Sequence, residues 1–404
     1  MSAGLVLTLL LACSSGRLPD DLPPALQFNL HTIDGLAGSG PIERITDDWS
    51  VSLAGEKPIQ TPGKVVVSLR RAGQIMPAWP SDEHLLFANG DRISGSPAEL
   101  RSERLRFQAS LGKFVDINVP LTAVAVIWLA MPDGATDREA VLRPWQNARR
   151  SRDVVILRNR DLVEGSLSDL DAQAVRLRGV DRKEIRLERS KVAAIVLSND
   201  LSRSLRPRGT YARLVLTNGS RISLAAAKTE GALLVGKTLF GSPIAVPLDL
   251  VVALDLYQGR ATYLSDLKPK RYEFVPYLGI SWPYQQDRSV AGNPLKLATG
   301  VFDKGLGMHS EAKLTYDLGG GYQWFEATVG LDEATGRQGS AGIRVLIDGK
   351  AQDVGGAEDL TPLKPPRSLR LKVAGAHELT LVVTFGRHGD VQDHVDWVDA
   401  RVLK

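Results

Sequence analysis

The stretch Leu85-Leu-Phe-Ala-Asn-Gly-Asp-Arg-Ile-Ser-Gly95 decides the fold of much of the chain. A strand-forming run leads to Asn89-Gly90, a dipeptide that accepts the positive φ angles of a tight hairpin turn. A second strand follows, and Gly95 permits a bulge or a sharp bend in it. The stretch therefore predicts an antiparallel hairpin.

The same pattern recurs along the chain, which indicates an internal repeat. Further copies begin at Val154 and Leu214, and a fainter copy runs from Thr32 to Leu69. Each copy ends in an apolar run such as Val124-Ala-Val-Ile-Trp-Leu129. Four or five short strands in each copy predict a small antiparallel barrel, similar in outline to Sm-like or SH3-like folds.

The last third of the chain has a different pattern, with more Trp, Tyr, His and Gly residues. Five runs of alternating polarity, from Leu314–Leu318 to Leu379–Val383, predict a two-sheet sandwich of the jelly-roll type. The whole chain is therefore expected to be all-β. The predicted core of the sandwich consists of Leu314, Tyr316, Phe325, Ala327, Val329, Val345, Leu371 and Leu381.

The composition is that of a folded protein without a strong charge bias. Of 404 residues, 43% are hydrophobic and 24% are charged, which excludes a disordered or fibrous chain. The net charge of +4 is too small to indicate a nucleic-acid partner, and the arginines between the repeats lack interleaved aromatic residues. We therefore expect no nucleic-acid partner.

The single cysteine, Cys13, excludes a disulfide framework, a Cys-rich zinc module and an iron–sulfur cluster. It follows the apolar run Leu5–Ala12, which fits the hydrophobic part of an export signal. Leu10-Leu-Ala-Cys13 resembles a bacterial lipobox, in which the cysteine carries a lipid. We expect an exported protein that is secreted, periplasmic or anchored as a lipoprotein, with a lipid anchor at Cys13 in the last case.

Enzyme signatures are nearly absent from the sequence. There is no His-Glu-x-x-His pattern and no Gly-x-Ser-x-Gly elbow. The run Gly231-Ala-Leu-Leu-Val-Gly-Lys-Thr238 matches the formula of a phosphate-binding loop, but it lies across a predicted strand of the third repeat. We therefore predict that the protein is not an enzyme.

Several ordered motifs of the last third carry a family resemblance. They are Tyr263-Leu-Ser-Asp-Leu267, Lys304-Gly-Leu-Gly-Met-His-Ser310, Val329-Gly-Leu-Asp332, Asp348-Gly-Lys350 and Asp393-His-Val-Asp-Trp-Val-Asp-Ala-Arg401. Over residues 262–404 the chain resembles the NPCBM family of carbohydrate-binding modules. The resemblance implies a galactose-binding-like jelly roll that contacts glycans and is appended to enzymes or to other exported proteins.

Sugar binding requires a ring for the apolar face of a pyranose and polar groups for its hydroxyls. Pro283 favours an extended or turned chain between Trp282 and Tyr284, which can expose both rings. Each candidate also fits a structural role, and Trp397 at strand spacing suits a core. The candidate sugar contacts are Trp282, Tyr284, Asn293, His309, His394, Asp396 and Trp397.

A group of acidic residues near the C-terminus leaves a metal cofactor open. Asp393, Asp396 and Asp399 with His394 could hold Ca²⁺, which takes about six to eight oxygen ligands. The same aspartates could instead cap turns or pair with Arg401. No complete set of metal ligands is evident, and no other cofactor is expected.

The sequence thus predicts a non-catalytic, exported carbohydrate-binding protein. Its β-repeats would act as spacers or as docking modules for a protein partner. The alternative is a structural or assembly protein whose jelly roll binds protein instead of sugar. The predicted order is an export or lipoprotein signal (1–19), a degenerate β-unit (26–70), three barrel-like repeats (84–131, 152–199 and 211–258) and a jelly roll (262–404).

Overall fold

The computed structural model describes residues 26–146, 148–205, 207, 209–277 and 279–404. Antiparallel strands dominate, and within these ranges α1 (Arg138–Gln146) is the one α-helix. The predicted all-β class, with small antiparallel units followed by a two-sheet sandwich, is confirmed. In the described part of the chain, no helix is both long enough and apolar enough to cross a membrane.

The N-terminal unit contains six strands. Strand β1 pairs with both β2 and β6, and β3, β4 and β5 form a separate small sheet. The strands are β1 (Phe28–Thr32), β2 (Gly35–Gly40), β3 (Ile42–Ile45), β4 (Val51–Leu53), β5 (Ile59–Thr61) and β6 (Val66–Arg71).

Three repeats of five strands follow. Repeat 1 contains β7 (His84–Phe87), β8 (Arg92–Arg101), β9 (Arg104–Ser110), β10 (Phe114–Pro120) and β11 (Val124–Trp128). Repeat 2 contains β12 (Asp153–Leu157), β13 (Leu162–Leu170), β14 (Ala174–Arg178), β15 (Glu184–Glu188) and β16 (Val192–Val196). Repeat 3 contains β17 (Tyr211–Leu216), β18 (Arg221–Glu230), β19 (Leu233–Thr238), β20 (Pro243–Pro247) and β21 (Val251–Tyr257).

The first hairpin of each repeat turns at the position that the sequence predicts. Gly90, Arg160 and Gly219 occupy the same turn position with φ angles of 86°, 72° and 83°. In repeat 1 the Asn89 side chain bonds to both the amide and the carboxylate of Asp91. An Asn that hydrogen-bonds two residues ahead stabilises such a turn. The turn chemistry is therefore shared even where Arg160 replaces glycine.

The last strands join the units in two pairs. Strand β11 of repeat 1 pairs with β16 of repeat 2, and β6 of the N-terminal unit pairs with β21 of repeat 3. One bridge between β8 and β18, with Arg92 opposite Arg221, connects the two pairs. Eighteen strands therefore belong to one hydrogen-bonded sheet. The repeats stabilise one another because each of these last strands has a neighbour in another unit.

The segment between repeats 1 and 2 corrects an expectation. A polar linker is predicted over residues 131–152, but α1 forms within it. The Asp137 carboxylate accepts a hydrogen bond from the Glu139 amide, which caps the start of the helix. Leu142 is buried in a cluster with Trp128. The helix has only one narrow apolar face and contains Pro144. Its sequence is therefore mostly polar and resembles that of a linker.

The C-terminal domain packs a six-stranded sheet against a five-stranded sheet. The six-stranded sheet contains β22 (Ala261–Tyr263), β24 (Gln285–Gln286), β27 (Gly305–His309), β29 (Trp324–Leu331), β32 (Arg367–Lys372) and β34 (His394–Leu403). The five-stranded sheet contains β23 (Arg271–Phe274), β28 (Ala312–Asp317), β30 (Ala341–Ile347), β31 (Lys350–Ala351) and β33 (Glu378–Phe385). The strands β25 (Leu295–Leu297) and β26 (Gly300–Phe302) form a separate hairpin.

The core of this domain lies between the two sheets. Seven of the eight predicted core residues are buried there, and the eighth, Leu371, is partly buried against the same cluster. The alternation of polarity therefore identified the inward faces of the strands correctly.

The hairpin β25–β26 connects the C-terminal domain to the upstream units. Met76 forms a parallel bridge with Gly300, and its amide donates to the Thr299 carbonyl. Leu295 and Phe302 share a buried cluster with Met76 and with residues of repeat 3. The hairpin thus covers part of the outer face of the six-stranded sheet, which decides which residues of β34 reach the surface.

Candidate functional site

A loop between β23 and β24 carries the first candidate ring, Trp282. Pro276 and Pro283 lie in this segment, whose described residues form neither helix nor strand. The Val275 amide donates to the Glu311 carbonyl, and the Tyr272 hydroxyl donates to the Trp282 carbonyl at 2.8 Å. The loop is therefore held at both ends, and Trp282 stays half-buried at its far end.

Trp282 contacts two of the predicted histidines. Its ring stacks on His309 with 5.2 Å between ring centres and 4° between ring planes. The centre of its ring lies 5.0 Å from the centre of the His394 ring, and the centres of the two imidazole rings lie 5.3 Å apart. The Phe274 ring meets His309 edge-on at 6.4 Å. We call Phe274, Trp282, His309 and His394 the ring cluster.

Strand pairing places the two histidines side by side. His309 ends β27 and lies directly opposite His394, which begins β34. Residues directly opposite in an antiparallel pair share one face of the sheet. Leu306 and Met308 point into the core, so His309 points away from it. Two segments that are distant in sequence thus meet Trp282.

Both imidazoles are kept neutral near pH 7. Burial lowers the pKa of His309, and burial, with repulsion from His309 once that ring is protonated, lowers the pKa of His394 to about 4. The Nδ1 atom of His309 lies 2.7 Å from the Ser310 carbonyl. The Nδ1 atom of His394 is buried and has no hydrogen-bond partner. A neutral imidazole offers one donor and one acceptor, as a sugar hydroxyl requires.

Two carboxylates lie beside the ring cluster. Asp393 accepts hydrogen bonds from the Ser310 hydroxyl at 2.8 Å and from the Ser340 amide at 3.0 Å. Burial raises the pKa of Asp393 to about 6. Asp390 is half-buried, and its charge acts on both His309 and Asp393. The cluster therefore combines rings with nearby hydrogen-bond acceptors.

A second pair of rings next to this loop was not predicted. Tyr277 is 48% exposed, and its ring meets Phe385 edge-on at 5.5 Å. The Glu311 carboxylate accepts from the Phe385 amide, and its carbonyl holds the same loop that carries Tyr277. A signal was available, because Tyr277 follows Pro276 just as Tyr284 follows Pro283.

Two predicted site residues lie outside the ring cluster. Tyr284 packs on Tyr272 at 4.9 Å and is partly buried against the core of the domain. The side-chain oxygen Oδ1 of Asn293 accepts a hydrogen bond from Arg143 at 2.6 Å, so this side chain contacts α1. The structure gives both residues a packing role.

The prediction that Asp396 and Trp397 contact a sugar is wrong. Both side chains are fully buried. Trp397 points between the two sheets, whereas Asp396 points to the opposite face of β34, where the Lys296 amide donates to it at 3.1 Å. The β25–β26 hairpin covers that face, so only His394, at the end of the strand, reaches Trp282.

The three aspartates considered as calcium ligands do not converge. Each has different partners: Asp393 has Ser310 and Ser340, Asp396 has the Lys296 amide, and Asp399 has Arg70 at 2.7 Å. Among the residues that the structure describes, no group of three or more His, Cys, Asp and Glu side chains is placed to hold a metal ion. Cys13 and the predicted signal lie outside the described residues.

Comparison with known families bears on the domain that carries the ring cluster. Residues 260–403 match the NPCBM/NEW2 domain. The family predicted for the C-terminal third is thereby confirmed. A search of curated proteins gives no match to the chain.

Three solved structures are similar to parts of the chain. A CBM51 module of Clostridium perfringens GH95, in complex with methyl-galactose, is 29% identical and covers 35% of this chain and 99% of its own, with a TM-score of 0.32. CBM51-2 with the INT domains of C. perfringens ZmpB, in complex with GlcNAc, is 25% identical. It covers 43% of this chain and 36% of its own, with a TM-score of 0.33. The tandem CBM51 modules of a Streptococcus pneumoniae family 98 glycoside hydrolase are 12% identical. They cover 80% of this chain and 88% of their own, with a TM-score of 0.32.

A cavity of the C-terminal domain lies away from the ring cluster. It has a volume of about 500 Å³ and is lined by residues 330–333, 336–337 and 360–366 together with Ala298. None of these lining residues is aromatic. Since a pyranose needs a ring for its apolar face, the ring cluster is the better candidate for sugar binding.

Acid is expected to destabilise the C-terminal domain through His394. Its pKa of about 4 lies below the ordinary 6.5, so between these values the unfolded chain binds a proton that the folded chain does not. Stability therefore falls as pH falls, and lowering pH from about 6.5 to about 4.5 should cost about 2 kcal/mol through this group. Urea unfolding of the wild type and of His394→Gln at both pH values measures the effect.

The comparison with His394→Gln removes the contributions of neighbouring groups. Asp393 acts in the opposite direction, because its raised pKa makes the folded chain bind a proton more readily than the unfolded chain. Its contribution is present in both proteins. If the free energy of unfolding depends on pH equally in the wild type and the variant, His394 has its ordinary pKa in the folded state.

Proposed function

We propose that the C-terminal domain binds a carbohydrate at the ring cluster. The observation that carries the proposal is the half-buried Trp282 ring stacked on His309 and set against His394. The chain brings these three residues together from three separate segments. The match of residues 260–403 to the NPCBM/NEW2 domain supports the same function.

The physical requirements of sugar binding are present together at this point. The indole offers an apolar ring to the C–H face of a pyranose. Asp390, which is half-buried, offers a carboxylate near His309. A sugar hydroxyl that replaces water at this carboxylate donates a hydrogen bond to it, whereas a purely apolar ligand leaves it without a donor.

We further propose that the protein is exported and acts without catalysis. The apolar run before Cys13 supports export, and the absence of enzyme motifs from the sequence supports a binding role. The N-terminal unit and the three repeats would then hold the C-terminal domain at a fixed position, because Met76 and Arg70 connect it to them.

Replacing Trp282 with alanine should weaken glycan binding at least about 30-fold, since a central aromatic anchor contributes about 2 kcal/mol or more. The intact chain is tested on a glycan array that includes terminal galactose and GlcNAc, and hits are quantified by calorimetry. Trp324→Ala is the matched control, because Trp324 is a half-buried tryptophan of the same domain that packs against Arg370.

Two results would count against the proposal. If the folded wild type binds no glycan on the array, the alternative of an assembly protein that contacts other proteins gains support. If Trp282→Ala and Trp324→Ala weaken binding equally, the sugar contacts another surface. Circular dichroism of both variants confirms that they are folded before binding is compared.

A further inference from the structure

Repeats 1 and 3 place equivalent arginines opposite each other. Both repeats contain Arg-Ile-Ser directly after the first turn, with Arg92 in repeat 1 and Arg221 in repeat 3. The two residues form the bridge between β8 and β18. Arg92 is 2% exposed and Arg221 is fully buried. Two buried guanidinium groups therefore lie where the paired units meet.

Arg221 has a complete set of partners. Its Nε atom donates to the Asp303 carboxylate at 3.2 Å. Its two Nη atoms donate to the carbonyls of Gly219 and Pro77 at 2.6 Å and of Val301 at 3.3 Å. Each side of its planar group meets an acceptor, which explains how the structure tolerates this buried charge.

Arg92 lacks such partners. Its guanidinium lies 3.8 Å from the centre of the Trp79 ring. Its Nη1 atom is buried without a hydrogen bond, and Glu139 approaches this atom only to 3.5 Å. Burial and the nearby charges of Arg138 and Arg288 outweigh Glu139 and lower the pKa of Arg92 to about 9.

The positive charges around Trp79 exceed the negative ones. Arg92, Arg138 and Arg288 all pair with the single carboxylate of Glu139, at 3.5, 3.2 and 3.1 Å. The other acidic residues nearby already have partners. Asp303 pairs with Arg221 and accepts a hydrogen bond from Trp79, and Asp91 pairs with Arg213 and accepts one from Ser223. Asp266 and Asp287 both pair with Lys304. Three guanidinium groups thus share one counter-charge.

Arg92 lines a cleft between repeat 1, repeat 3 and the C-terminal domain. Its volume is about 280 Å³, close to the lower end for small-molecule sites. Its basic lining residues are Arg92, Arg213, Arg288 and Lys304, which outnumber the acidic ones, Asp266, Asp287 and Asp303. Trp79 and Tyr211 also line the cleft. Arginine binds carboxylate and sulfate groups through two parallel hydrogen bonds, which a lysine cannot do.

We propose that this cleft binds an oxyanion, either free sulfate or the carboxylate group of an acidic sugar, with Arg92 as the main contact. The anion supplies the counter-charge that Glu139 alone does not, at a cleft whose walls include both Arg92 and Arg288. Arg288, which is partly exposed at the cleft, contacts the same anion. The site is separate from the ring cluster and independent of sugar binding there.

The test compares anions at constant ionic strength on the full chain. Sodium sulfate in the low millimolar range should raise the Tm relative to sodium chloride, and calorimetry should show one site. Arg92→Met should weaken sulfate binding at least about 10-fold, because it removes the charge-assisted contact. Arg101→Met is the matched control, because Arg101 lies on the same strand and its side chain is 81% exposed.

Further measurements identify the source of the anion and distinguish a loss of binding from a folding defect. Tighter binding of glucuronate than of sulfate, with no binding of glucose, identifies an acidic sugar. Tighter binding of sulfate identifies a free anion. If Arg92→Met does not fold, Arg288→Met should show the same loss of affinity. Sulfate also stabilises proteins without binding. An equal rise in Tm in the wild type, Arg92→Met and Arg288→Met, without a calorimetric site, overturns the proposal.

Discussion

Replacing Trp397 with alanine should destabilise the C-terminal domain by about 3–5 kcal/mol, a large part of the stability of an ordinary domain. The indole is fully buried between the two sheets, on a strand that pairs with both β27 and β29. Its removal leaves a cavity that central strands cannot close. Urea unfolding followed by far-UV circular dichroism measures the loss.

Trp397→Phe is the matched variant, because it keeps a ring in the core. The Trp397 Nε1 atom is buried without a partner, so phenylalanine also removes an unsatisfied donor. We expect a cost of about 1–2 kcal/mol for this change. If the free energy of unfolding of Trp397→Ala instead lies within about 0.5 kcal/mol of the wild-type value, the ring does not pack in the core, and the predicted sugar contact at the surface regains support.

Trp397 also shows where sequence patterns succeed and fail. The alternation in β34 correctly separates its two faces, but it does not say which face is covered. Asp396 lies on the outward face and is nevertheless buried, because the β25–β26 hairpin folds over it. That hairpin is held by Met76, from a distant segment of the chain. No local pattern contains such a contact.

The same limit applies to the upstream units. Turn residues such as Asn89-Gly90 act locally, so the hairpins and the all-β class could be predicted from them. The joining of β11 to β16 depends on two strands that are distant in sequence. All five residues of β16 are buried, a pattern that indicates covered faces without identifying the neighbour. For the ring cluster, the sequence predicts Trp282 from its place beside Pro283 and the two histidines from the family-like motifs, whereas their stacking depends on the fold.

Replacing Arg221 with methionine should destabilise the chain by about 3–5 kcal/mol. Burial alone would raise the pKa of Asp303, but Arg221 and Arg213 hold it below its ordinary value, so the carboxylate is ionised. Without Arg221, this buried charge loses its closest cation, and the carbonyls of Pro77 and Val301 lose their donor. Chemical unfolding at pH 7 measures the change.

Two comparisons test the cause of this effect. Adding Asp303→Asn to Arg221→Met should recover part of the loss, because a neutral amide no longer requires a cation. Arg92→Met, at the equivalent position of repeat 1, should cost clearly less, since Arg92 has no hydrogen bond at Nη1 and shares Glu139 with two other arginines. Equal costs for Arg92→Met and Arg221→Met would contradict the difference between the two sites, because both side chains have similar size and burial. The equivalent arginines would then both serve to hold the units together, and the charge at Arg92 would already be balanced within the protein.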